Sequence, residues 1–89
     1  MKNNTAIKLG SYLPSIKINE KEIYELLSKN HWTLIVCGKE KIKINKPQLK
    51  ILHVPEGTYS SRYILIKSDW HIAMADEQLN ESDIMKLTE

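Results

Sequence analysis

The residues of this chain with the most chemical reach are one cysteine, three histidines and a run of lysines. Cys37 closes the apolar stretch WTLIVC and is followed by Gly-Lys-Glu. A thiol at a strand end is activated when a helix N-terminus or a cation lowers its pKa. Without a second cysteine there is no CxxC pair, no internal disulfide and no multi-thiolate zinc site. Two readings of Cys37 follow: a buried side chain packing as a small hydrophobe, or the centre of a one-cysteine thiol-redox protein. His31, His53 and His71 share no helical or hairpin spacing that makes a metal site. Ser60 and Ser61 lack the glycines of a nucleophile elbow, and the carboxylates cluster on expected helices, where they solvate rather than form an acid and base pair. The sequence therefore assigns no catalytic residue beyond Cys37, and no cofactor-binding or metal-binding residue.

Charge narrows the partners. Lys39, Lys41, Lys43, Lys46 and Lys50 stand against Glu40, whereas Asp69, Asp76, Glu77, Glu81, Asp83 and Glu89 stand against Lys86. The two runs read either as two solvated faces or as oppositely charged ends that orient self-association. The stretch from Lys39 to Lys50 also suits a polyanion, but it holds no aromatic and no arginine, which makes nucleic acid the weaker alternative. With 89 residues the chain makes one domain, 10–89, behind a loose lead-in over 1–9. An apolar fraction of 42% beside 27% charged residues is ordinary for a globular protein. No run approaches the roughly 18 apolar residues of a membrane span, and the first residues lack the apolar core of a signal peptide. A cytoplasmic location is the expectation.

The elements that must position these groups follow from periodicity. GSYLP, from Gly10 to Pro14, is a loop signal. Ile16 and Ile18 alternate with polar residues and predict a short strand over 15–18. Asn19 and Glu22 have capping-box spacing. Ile23, Leu26 and Leu27 then share a helical face, which predicts a ten-residue helix over 20–29 closed by Asn30. The run 32–37 reads as a strand buried on both faces. Ile42 and Ile44 alternate with lysines, which favours an extended or irregular connection over 39–46. Residues 49–54 read as another interior strand. Ile64 to Ile66, a turn at Ser68 and Asp69, and Ile72 to Met74 make a β-hairpin. A terminal helix over 79–87 places Ile84, Met85 and Leu87 against the sheet.

Placed in order, these elements resemble the small C-terminal thioredoxin-like domain of FAD-dependent aromatic hydroxylases of the phenol hydroxylase and polyketide hydroxylase type. Gly10 and Pro14 match that family's Gly-x-x-x-Pro loop, Leu26 and Leu27 its Leu-Leu helix, and Trp32 to Val36 its first long strand. Lys67 to Met74, KSDWHIAM, is similar to the family's Arg-Pro-Asp-Gly-x-Val-Ala-Trp hairpin, with Asp69, Ile72 and Ala73 matching. Lys67, Ser68, Trp70 and Met74 replace the family's Arg, Pro, Gly and Trp. The glycine position is left-handed in such a turn, which is costly for Trp70.

The resemblance implies an α/β, thioredoxin-like fold: a mixed sheet of four to five strands with a C-terminal β-hairpin and flanking helices. It also implies a module with no chemistry and no cofactor of its own, since the flavin and substrate domains are absent. Such a module acts by self-association or by contact with a flavin-dependent hydroxylase. Trp70 at the hairpin tip, with Met74 and Tyr63, is the expected interface.

Overall fold

The computed structural model describes residues 7–27 and 30–88. Residues 1–6, which hold most of the expected lead-in, and Ser28 and Lys29, in the expected last turn of the first helix, lie outside that range. The elements are β1 (Lys17–Ile18), β2 (Lys21–Glu22), α1 (Ile23–Leu26), β3 (Trp32–Cys37), β4 (Leu49–Val54), β5 (Tyr63–Ile66), β6 (Ile72–Asp76) and α2 (Glu81–Leu87). Four of the strands form one mixed sheet in the order β4-β3-β5-β6. β3 runs parallel to β4 and antiparallel to β5, and β5 runs antiparallel to β6. The radius of gyration is 12.0 Å, which is that of a compact chain of about this length.

Strict alternation along β3 divides the interior into two cores. Ile35 and Cys37 face one side, where Ile64, Ile66 and Ile72 meet Leu13, Ile23, Leu27 and Tyr59. Leu34 and Val36 face the other, where Leu65 and Tyr63 meet Ile84 of α2 and the half-buried Ile42 and Ile44. The period of two in the lysine run has the same cause. Lys41 and Lys43 point to solvent, and Ile42 and Ile44, which alternate with them, pack down on the sheet. Residues 38–48 hold neither helix nor strand, so this extended segment is the crossover that joins the parallel pair.

Several expectations change. The strand expected over 15–18 is the two-residue β1, which pairs only with β2 and stays outside the main sheet. Asn19 and Glu20 do not begin a helix. They have φ of 52° and 73° and form the two-residue turn between β1 and β2, as a hairpin with two left-handed central residues requires. Helix α1 is consequently one turn long, starting after Glu22, whose N–H donates to the Glu25 carboxylate at 3.3 Å. Leu27 is already extended, at ψ 148°, which leaves Asn30 beyond the helix end. β4 is an edge strand rather than an interior one, and Lys50 and His53 are exposed on it.

The terminal helix is close to expectation. Asn80 caps it by accepting from the Asp83 N–H at 3.2 Å. Ile84 is fully buried, and Thr88 is the next buried residue, its hydroxyl donating to the Ile84 carbonyl at 2.7 Å. Met85 and Leu87 are exposed rather than packed. Lys46 donates to the Met85 carbonyl at 3.1 Å and Gln48 to that of Thr88 at 2.7 Å. These bonds satisfy orphan carbonyls at the helix C-terminus. The basic run and the acidic α2 therefore lie side by side on one sheet face, not at opposite ends of the domain.

Candidate functional site

The carboxyl ends of the two parallel strands are where an open α/β sheet usually presents its chemistry. Cys37 ends β3 there, beside a crevice shared with Tyr59, Ser60, Ser61, Arg62, Glu56 and Glu77. The strand alternation that puts Ile35 in the core also buries Cys37, which is 2% exposed. Its N–H donates to the Arg62 carbonyl at 2.8 Å, fixing β3 to the start of β5. Burial pushes the thiol above its ordinary value. A hydrogen bond from the Tyr59 backbone and the charge of Arg62 act in the opposite direction, and Glu77 adds to the rise. The group is a thiol at neutral pH, and no described helix begins at it.

Arg62 is already engaged. Its guanidinium bonds Glu40 at 2.9 Å and Glu56 at 3.5 Å. Hydrogen bonds from Tyr63 and then Arg62 hold the Glu40 carboxyl below its usual value. The crevice itself measures 160 Å³, short of the roughly 300–1,000 Å³ of sites that enclose a small molecule. What this end of the sheet offers is a surface ion-pair cluster over a buried thiol. Sequence reasoning missed the cluster because Arg62, Glu40 and Glu56 are joined only by the topology.

The three histidines are held apart. His53 stands exposed on β4 with Nδ1 3.1 Å from the Gly38 carbonyl. His71 stacks on Tyr12, with ring centroids 4.2 Å apart, and pairs with Asp69 at 3.1 Å. His31 is half-buried before β3. Among the described residues no group of His, Cys, Asp and Glu is arranged to hold a metal ion.

The expected interface residues do not form an exposed patch. Tyr63 is buried, and Met74 is half-buried in the core beneath α2. Trp70 is half-buried at the hairpin tip, stacked on Tyr24 with ring centroids 4.6 Å apart and 16° between planes. Its φ is +72°, so it occupies the left-handed position that closes a three-residue hairpin loop. Its backbone N–H donates to the Lys67 carbonyl at 2.8 Å, and the Asp69 side chain accepts from the His71 backbone N–H at 3.1 Å. The Tyr24 hydroxyl donates to the Leu13 carbonyl, and the Leu13 N–H to the Trp70 carbonyl at 3.1 Å. Loop and hairpin are thereby locked together.

Exposed apolar surface lies elsewhere. Leu9 is 62% exposed and Tyr12 60%. Both belong to the segment docked on the start of β6, where the Gly10 N–H donates to the Ile72 carbonyl and the Ile72 N–H to that of Ser11, each at 2.9 Å. A 500 Å³ depression with Gly10, Trp32, Ile72, Ala73 and Leu87 on its apolar walls and Lys67, Asp69 and His71 as its polar lining connects this segment to the end of α2. The sequence signalled Leu9 only as half of a weak apolar pair.

Comparison of the chain with protein-family models, curated proteins and solved structures finds no match. Among the described residues no helix is long and apolar enough to cross a membrane.

Proposed function

We propose that this chain is a non-catalytic, thioredoxin-like interaction module, related to the C-terminal domain of FAD-dependent aromatic hydroxylases, that works by associating with itself or with a flavoprotein. A parallel strand pair, an antiparallel hairpin and a terminal helix in that order are consistent with such a fold. The buried thiol and the engaged Arg62 give no support to a thiol enzyme. The observation that carries the reading is the depression lined by the exposed Leu87 and by His71, on which the exposed Tyr12 stacks, since an exposed tyrosine beside a recess is a common anchor of protein contact. The anchors are thus Tyr12 and Leu87, in place of Trp70, Met74 and Tyr63.

Sedimentation velocity over a range from micromolar to millimolar protein tests this. Self-association gives a weight-average mass that rises with concentration and returns to that of one chain in the double variant Tyr12→Ser, Leu87→Ser. A single-chain mass throughout, in a protein that also fails to co-sediment with a purified aromatic hydroxylase lacking its own C-terminal domain, overturns the proposal.

A further inference from the structure

A second recess lies at the carboxyl ends of the parallel strands, lined by the β1–β2 turn, the residues after β3 and the end of β4, and its chemistry differs from that of the crevice at Cys37. It measures 550 Å³, within the range of small-molecule sites. Its walls are aliphatic: Ile18 from the β1 hairpin, Val54 at the end of β4, and Pro55. Among the described residues no Phe, Tyr or Trp lines it. Its polar lining is Asn19, Lys39, His53 and Glu56. Lys39 is exposed and forms no ion pair among the described residues. His53 is fixed by its Nδ1, which donates to the Gly38 carbonyl, because a carbonyl can only accept. Glu56, the one acid on the rim, is drawn to Arg62 at 3.5 Å, so its charge is partly offset.

A recess with three aliphatic walls and one lysine that forms no ion pair is complementary to a molecule with an apolar chain and one negative end. We propose that this recess binds a short aliphatic carboxylate, its chain against Ile18, Val54 and Pro55 and its carboxylate on Lys39. Such binding is independent of the association proposed above, since the two recesses share no lining residue.

The test is a titration of the full ¹⁵N-labelled chain with hexanoate, followed by amide chemical shifts, with hexan-1-ol as the uncharged control. Saturable shifts are expected at Ile18, Asn19, Gly38, Lys39 and Val54, with hexan-1-ol binding about tenfold more weakly because it lacks the charge-assisted bond. Lys39→Gln is expected to reduce hexanoate affinity by about the same factor, whereas Lys50→Gln, on β4 but outside the recess, leaves it unchanged. Absence of saturable shifts at these amides overturns the proposal. So does equal affinity for the alcohol, or an equal loss in the Lys50 variant, which would mark a diffuse charge effect.

Discussion

Three side chains sit where the backbone favours glycine: Asn19, a residue type that tolerates it, and Glu20 and Trp70, which occupy it for opposite reasons. Glu20 is exposed at φ 73° and gains nothing visible from its position. A left-handed residue costs roughly 1–2 kcal/mol, and glycine would lose about 0.5–1 kcal/mol in entropy. Glu20→Gly, which creates the Asn-Gly pair that such hairpins favour, is therefore expected to stabilise the fold by about 0.5 kcal/mol, measured as a higher urea midpoint. Trp70 meets a similar backbone cost but recovers it by stacking on Tyr24 and covering the core around Leu13. Trp70→Gly should consequently destabilise by about 1–2 kcal/mol, because stacking and burial together exceed the strain relieved; a more stable variant would refute that account. The cost to Trp70 was expected from the resemblance of this turn to one that has a glycine at the same position. Its burial was not, since Tyr24 is distant in the chain. For Cys37, alkylation is expected to be slow in the folded protein, with a midpoint above the ordinary thiol value of about 8.5, and fast once the chain is unfolded.

At the level of elements, the helices differ in how they are held. Helix α2 is capped by Asn80, tethered by Lys46 and Gln48, and anchored by one fully buried residue, Ile84. Ile84→Ala should cost about 2–4 kcal/mol and Asn80→Ala about 1 kcal/mol, whereas Met85→Ala, an exposed change, should stay within about 0.5 kcal/mol. Equal losses at positions 84 and 85 would mean that the helix presents a different face. The sequence located β3, β4, β5, β6 and α2 to within a residue or two, because each has a strong period or a cap. It overextended α1, because Ile23, Leu26 and Leu27 satisfy a helical stripe whether or not the backbone continues beyond one turn. It could not show that β4 is an edge strand, since pairing order depends on where β5 inserts. The candidate recess at Lys39 and His53 was invisible for the same reason: Ile18, Lys39 and Val54 meet only through the topology.

For the molecule as a whole, the buried and half-buried acids set an alkaline limit. Burial raises Cys37, Tyr24, Tyr59 and Tyr63 above their ordinary values, and the Tyr59 hydroxyl donates to the Pro14 carbonyl at 3.0 Å. The unfolded chain therefore releases these protons first. The associated stability is complete below about pH 8.5 and falls as pH rises through the thiol and phenol range. Urea midpoints should decline between about pH 8.5 and 10.5, with a shallower decline in Tyr59→Phe; a midpoint that holds or rises over that interval would contradict the burial argument. The helix-free crossover over 38–48 bears on how the chain finds this arrangement. β3 lies at the centre of the sheet, yet both of its neighbours arrive later in the chain, across connections with no helix to shorten the search. Loop closure must precede any stabilising ladder, so stopped-flow refolding is expected on the millisecond-to-second scale typical of non-local topologies, and not in microseconds like a helical bundle of equal length.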